Sequence, residues 1–256
     1  MYKELEDKEI LILEMIKDST EPMGSWNIVN RMAEENIETS SATIGRILSK
    51  LESLGYLQKE KFRGRVITDK GLHAITINKQ LKDIATQQNK LSKYTDPKLL
   101  EDFISVLEAR RAIERETARL AALRATAEDI ELMDRILSNQ ENKYKEHQWI
   151  TEDDLDFHKT IARSSKNGIL ETMYNFLAIF GQQSRAFEYL REKIHAEYMV
   201  SHRRILNSIK AGNSQEAEAA MLDHIDSLVS DVNKYWEICL QPYLLGLRQE
   251  PPVNED

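Results

Sequence analysis

Ser40-Ser-Ala-Thr-Ile-Gly-Arg-Ile-Leu-Ser-Lys-Leu-Glu-Ser-Leu-Gly55 carries the clearest local fold signal in this chain. Ile44, Ile47, Leu48, Leu51 and Leu54 fall at i, i+3, i+4, i+7 and i+10, which is one apolar face of an α-helix. Ser40 or Ser41 supplies an N-cap, and Gly55 stops the helix. The period then changes. Tyr56-Leu-Gln-Lys-Glu-Lys-Phe62 and Val66-Ile-Thr68 read as two short strands around Arg63-Gly64-Arg65. Upstream, Ile10, Leu11, Leu13, Met15 and Ile16 form a helix that ends before the turn at Pro22-Met-Gly24. Ile28, Val29 and Met32 mark a second helix from about Ser25.

Three short helices followed by a ribbon are the elements of a winged helix-turn-helix. In that arrangement helix 41–54 enters the major groove with Ser41, Thr43, Arg46 and Lys50 on its polar side. Arg63 and Arg65 at the wing tip grip phosphate or the minor groove. The other use of such a module is protein docking, with the same residues as solvated surface. Charge favours DNA. The whole chain has a net charge of −8, yet residues 40–70 carry seven Lys/Arg against three Asp/Glu, and residues 1–39 carry four against ten. A basic island between acidic flanks is the footprint of a DNA-reading element.

Leu72 to Leu91 continues as a helix rich in Lys and Gln, and Asp96-Pro97 suits the cap and first residue of another. Beyond it the pattern is helical throughout. One helix runs from Leu99 to Ala125, and the next opens on the capping-box-like Thr126-Ala-Glu-Asp129. A third begins at Ile150 and is broken by Ser165-Lys-Asn-Gly168. Further helices are expected over Ile169 to about Phe187, Leu190 to Ala211, and Ser214 to about Leu240. The expected division is a winged helix over 1–75, a linker helix over 76–96, a helical bundle over 97–240, and a disordered tail over 241–256. With nine Gly and five Pro in 256 residues the chain is mainly α. Its single cysteine, Cys239, fits a reducing compartment, and no apolar run approaches the roughly 20 residues that cross a bilayer. With no N-terminal signal pattern, the expectation is a cytoplasmic protein.

One set of side chains stands out in the bundle. Asp154 and His158 lie four residues apart, on one helix face. His202 lies ten residues before Gly212 and His224 twelve after it. At about 1.5 Å per residue these are roughly 15 and 18 Å from the turn, so an antiparallel hairpin brings them level. One carboxylate and three imidazoles suit Zn, Ni, Mn or Fe, with positions left for water or a ligand. The competing reading is four separate hydrogen-bonded polar residues, as expected for His73, His147 and His195.

Two resemblances bear on these readings. Glu21-Pro-Met-Gly24, Leu51-Glu-Ser-Leu-Gly-Tyr56 and Arg63-Gly-Arg-Val-Ile-Thr-Asp-Lys-Gly71 resemble the winged helix of ribonuclease R-type proteins and of some nitrogen-regulation repressors. Val106-Leu-Glu-Ala-Arg-Arg-Ala-Ile-Glu114, Asp154-Leu-Asp-Phe-His-Lys-Thr-Ile161, Ser165-Lys-Asn167 and Ser201-His-Arg-Arg-Ile-Leu206, with His224, are similar to the FCD-type sensor domain of the GntR superfamily, over roughly 97–235. That resemblance implies a bundle of six or seven helices. It also implies a divalent ion on Asp154, His158, His202 and His224, Zn first among the candidates, beside a cavity for a small organic acid. Arg110 takes the position that points toward the cavity in the family, although a salt bridge to Glu114 explains it as well. Asn167 follows the pattern too, and a helix-terminating Asn is its other explanation. The usual GntR segment Pro-Gly-x-x-Leu-Pro-Ser-Glu is missing from residues 1–93. The expectation is a ligand-responsive transcriptional regulator, by default a repressor, acting as a homodimer on a double-stranded operator and responding to a small carboxylic acid. A metal-dependent hydrolase or lyase is the alternative. It needs a carboxylate beside the metal, for which Asp153 and Asp156 are nearest in sequence.

Overall fold

Ser40 opens α3 (Ser41–Ser53): its hydroxyl accepts the Thr43 N–H and so satisfies one of the helix's first donors. In the computed structural model, which describes residues 5–91, 94, 100–180 and 200–240, this helix is the third of the winged helix, after α1 (Asp7–Lys17) and α2 (Ser25–Glu34). The cap expected at Asp96-Pro97, the stretches 181–187 and 190–199 of two expected helices, His195 and the tail from 241 lie outside the described residues. Ile44, Leu48 and Leu51 pack with Ile12, Leu13, Ile16, Ile28 and Met32 into one core.

The first wing strand is shorter than its sequence suggests, and the second starts two residues earlier. β1 (Leu57–Glu60) pairs antiparallel with β2 (Gly64–Ile67), placing Gln58 opposite Val66 and Lys59 opposite Arg65. Gly64 and Arg65 therefore belong to the strand, and the turn is residues 61–63. The cause lies at Gly64, whose φ of +135° suits glycine, and where a Cβ would stand 2.6 Å from the Met23 carbonyl carbon. That close approach lets Met23 and Arg65 exchange backbone hydrogen bonds of 3.0 and 2.9 Å, extending the ribbon by one bridge.

Helix α4 (Asp69–Leu91) leaves this ribbon directly. The Thr68 hydroxyl accepts the Gly71 N–H at 3.1 Å and donates to the Gly55 carbonyl at 2.8 Å, fixing the start of α4 to the end of α3. Gly71 lies so close to the Tyr56 carbonyl that a Cβ there would collide with it.

The chain divides into two units, Met1–Leu91 and Ser92–Asp256. In the second, α5 (Leu100–Arg124) packs along α10 (Ser214–Tyr235), with α6 (Ala127–Lys145), α7 (Thr151–Ser164), α8 (Gly168–Leu177) and α9 (Val200–Lys210) around that pair. Leu107, Ala118, Ala121, Phe157, Ile161, Ile205, Met221 and Ile225 form the core. Thr126 and Asp129 cap α6 reciprocally, and Asp129 also accepts from Lys166 at 2.5 Å, tying α6 to the end of α7. Helix α8 gives way to a 3₁₀ turn over Ala178–Phe180, and α10 ends in a π turn over Trp236–Leu240. Gly212, at φ +69°, turns α9 into α10, and the Asn213 side chain caps α10 through the Glu216 N–H. That turn makes His202 and His224 neighbours. Among the described residues, no helix is long and apolar enough to cross a membrane.

Gly71→Ala should lower winged-helix stability by about 1–3 kcal/mol, the usual effect of overpacking a rigid contact. Gly168→Ala, where a Cβ meets nothing within 4 Å, should leave stability unchanged or slightly raised. Urea unfolding followed by circular dichroism distinguishes the two outcomes.

Candidate metal centre and winged-helix surface

Asp154 and His158 share the inner face of α7, and His202 and His224 come to it from α9 and α10. All four are buried beside the apolar core of the bundle, together with the polar Arg110, Glu114 and Gln140. One nitrogen from each of the three imidazoles lies within 4.8 Å of the other two. His158 Nε2 and His202 Nε2 are 3.3 Å apart, and Asp154 Oδ1 is 3.3 Å from the same His202 nitrogen. The expected ligand set thus converges, with Asp154 at its edge.

The far side of each ring is held by another residue. His158 Nδ1 lies 2.5 Å from Glu114 Oε2, His202 Nδ1 is 3.0 Å from Gln140 Oε1, and His224 Nδ1 is 2.9 Å from Ser201 Oγ. Acceptors at Glu114 and Gln140 favour the proton on Nδ1, which turns the Nε2 lone pairs of His158 and His202 inward. Two lone pairs 3.3 Å apart beside a carboxylate form an arrangement that a cation stabilises. The donor set therefore fits a first-row divalent ion.

Arg110 and Glu114 lie one turn apart on α5 and are both buried. Arg110 Nε donates to Glu114 Oε1 at 2.6 Å, so the salt bridge read from the sequence is present. Its Nη1 and Nη2 atoms are buried and lack a hydrogen-bond partner among the described residues. Burial opposes ionisation of Glu114, but Arg110 and His158 outweigh it and bring its pKa down to about 2. Burial likewise works against the charged forms of Arg110 and Asp154. Glu114 more than offsets this for the arginine, and for the aspartate the protonated forms of His202 and His158, with Arg110, lower the pKa; with neutral rings a cation between them would take over that role. Tyr174 lies 6.4 Å from the His158 ring, stacked over it, and Phe157 meets His202 at 5.1 Å; these rings help to keep the centre dry.

Asn167 is placed differently. It is the N-cap of α8, and its side-chain oxygen accepts the Ile169 and Leu170 N–H groups. Asp156 is exposed, and Asp153 is held by Lys143 and Asn139 at 2.6 Å each. Neither carboxylate reaches the histidines as an acid or base would need to.

The basic residues of the winged helix also separate into groups. Ser41 and Arg46 are exposed, and Thr43 is partly covered beside the Ser40 hydroxyl at 3.0 Å. Lys50 points back to the buried Glu9, whose hydrogen bond raises its pKa. Arg65 lies along β2 with Nε 3.0 Å from Glu52 and little exposure. Arg63 remains at the tip, open to solvent and 2.8 Å from Glu21.

Glu114, Gln140, Ser201 and Tyr174 were not among the expected site residues. Glu114 had a local signal, since it follows Arg110 by four residues. Gln140 had none, because it is 62 residues from the ring it holds.

Comparison with known proteins agrees with this architecture. The FCD domain family matches residues 105–227, and the ribonuclease R winged-helix domain family matches residues 10–75. The HTH-type transcriptional regulator LutR of Bacillus subtilis is 25% identical over 229 residues, covering 87% of this chain and 98% of its own. A putative L-lactate dehydrogenase operon regulatory protein of Escherichia coli is 30% identical over 136 residues, and the Uxu operon regulator of Haemophilus influenzae is 29% identical over 128. Those two alignments span about half of each chain, 52% and 48%. A solved GntR structure from Streptococcus agalactiae aligns at a TM-score of 0.45 and 19% identity, covering 88% of this chain and 98% of its own. These relatives are transcriptional regulators rather than enzymes. The chain thus carries a match to the FCD domain behind a match to the ribonuclease R winged helix, and over most of its length it is similar to a transcriptional regulator.

Proposed function

We propose that this regulator is a metal-dependent sensor of a small carboxylic acid, acting from the cytoplasm as a homodimer on a double-stranded DNA operator. Residues 1–75 serve as the reading head, 76–96 as the connector, 97–240 as the sensor and 241–256 as a tail, with repression as the default mode. The observation that carries the metal is the convergence of three buried imidazoles and Asp154, with acceptors behind His158 and His202. Asp154, His158, His202 and His224 would hold the ion, Zn being the first candidate. Bound there, it would supply a Lewis-acidic position for an oxygen ligand.

Charge supports an acid as that ligand. With neutral imidazoles the buried centre holds Arg110 against Glu114 and Asp154, a deficit of one positive charge. A divalent ion converts that to an excess of one, which a monocarboxylate neutralises. Arg110 Nη1 and Nη2 supply donors of the kind a carboxylate accepts. Asn167 is a weaker candidate contact, because its oxygen is already accepting as the α8 cap. An acid that binds one arrangement of the bundle more tightly shifts the population toward it, and the DNA affinity with it.

Four substitutions test the reading. Purified protein analysed by native mass spectrometry and elemental analysis should carry one divalent ion per chain, and His202→Ala should lose it. Unchanged metal content in His202→Ala would remove the assigned ligand set. Glu114→Gln should keep the site but weaken the metal by about 10–100-fold in competition with a chelator, as expected when the group orienting a ligand histidine is changed. In the winged helix, Arg46→Ala should weaken operator binding and reduce the salt slope by about one, the signature of one lost phosphate contact. Lys50→Met should instead lower the unfolding midpoint with that slope unchanged, since its partner Glu9 is internal. Fluorescence anisotropy across a salt series measures both slopes.

A further inference from the structure

Helix α4 is longer than the winged helix requires. Ala74, Ile75 and Asn78 are buried in that unit, whereas every residue from Lys79 to Leu91 is exposed. This exposed half is not uniformly polar. Ile77, Leu81, Ile84, Gln88 and Leu91 follow one another at steps of four, three, four and three, and Ala74 precedes them by three. Leu81 is 49% exposed, Ile84 62% and Leu91 36%.

A mean step of 3.5 residues keeps these side chains on one stripe. It is the spacing that lets a second helix wind along the first with its side chains interlocked. The charges avoid the stripe. Lys79, Lys82, Asp83 and Lys90 lie on the far side of the helix, and Lys82 is paired with Asp7 at 2.7 Å. The exposed positions flanking the stripe are Gln80, Ala85 and Gln87, all uncharged.

We infer that this stripe is the surface on which two copies of the chain pair, α4 against α4 in parallel, as a short coiled coil. The inference rests on the dimeric-regulator reading above and gives its dimer a contact surface. Uncharged flanks suit a self-contact, because an identical surface brings each residue near its own copy and like charges there would repel. Gln88 suits it as well: in a parallel pair it faces the second copy's Gln88, and an amide can both donate and accept. The winged helix lies at the N-terminal end of the stripe, so parallel pairing holds two reading heads at one end, as two adjacent half-sites require. From Ile77 to Leu91 the stripe is roughly 21 Å long, short enough that its pairing is marginal alone and is reinforced by contacts made elsewhere in the complex.

Cross-linking of the full-length chain provides the test, with its single cysteine, Cys239, replaced by Ser. Ile84→Cys should give a covalent dimer as the main product under mild oxidation. Thr86→Cys, on the outer side of the same turn, should give background only, because a disulfide needs its two Cα atoms within about 7 Å. Leu81→Glu with Ile84→Glu should shift the native mass from dimer toward monomer and lower operator affinity on the order of tenfold or more, with helicity unchanged. Equal cross-linking at Ile84 and Thr86 overturns the inference, as does a doubly substituted protein that remains dimeric. Both outcomes leave the regulator reading standing. Rapid Ile84 cross-linking in a protein without site-selective DNA binding sinks that reading and keeps the paired surface.

Discussion

Glu114 is the residue through which the helical bundle reconciles opposite demands. A helical core excludes water, and an isolated charge there would neutralise or disrupt the packing. Glu114 stays ionised because Arg110 and His158 face its two oxygens. Arg110 remains tolerable for the same reason, since Glu114 is its counter-charge one turn away on α5. Removing the carboxylate would therefore strand a buried guanidinium and release the ring of His158 together. The packing of α5 against α7 and α10 is constrained by this exchange as much as by the apolar contacts around it.

The same carboxylate makes the centre directional. A histidine that offers one nitrogen to a ligand must have its other nitrogen specified, or both tautomers are populated. Glu114 and Gln140 specify His158 and His202. Ser201 does not specify His224, because a hydroxyl can donate or accept. The buried groups are thus neither a simple ion pair nor a hydrophobic defect. Their polarity is oriented toward a common point, at a cost in desolvation that packing alone would not require.

Much of this is legible in the sequence itself. Asp154 and His158 declare themselves by four-residue spacing, and His202 and His224 by their near-equal distances from Gly212. Helix geometry makes both inferences, and the turn at Gly212 has the positive φ that closes the hairpin. The groups behind the rings were less visible, because which helix lies behind His202 is a matter of packing and Gln140 has no spacing relation to it. The wing shows a different limit. Its strand ends differ from the expected ones by one or two residues, because the close approach of Gly64 to Met23 involves a segment 41 residues earlier. A local pattern contains no trace of such a contact.

The basic residues sharpen that limit. Counting charge over 40–70 treats Arg46, Lys50, Arg63 and Arg65 as equivalent, and they are not. Lys50 holds α3 to α1 through Glu9, and Arg65 holds β2 to α3 through Glu52. Both positive charges serve the scaffold that presents the reading helix. Arg46 on that helix and Arg63 at the wing tip remain open to an incoming phosphate, joined by the exposed Lys59 and Lys61. A surface with few open cations has limited non-specific affinity at physiological salt. In the proposed dimer, selective binding by such a module would depend on two reading heads engaging together, and the spacing between them would be the quantity that a ligand of the bundle acts on.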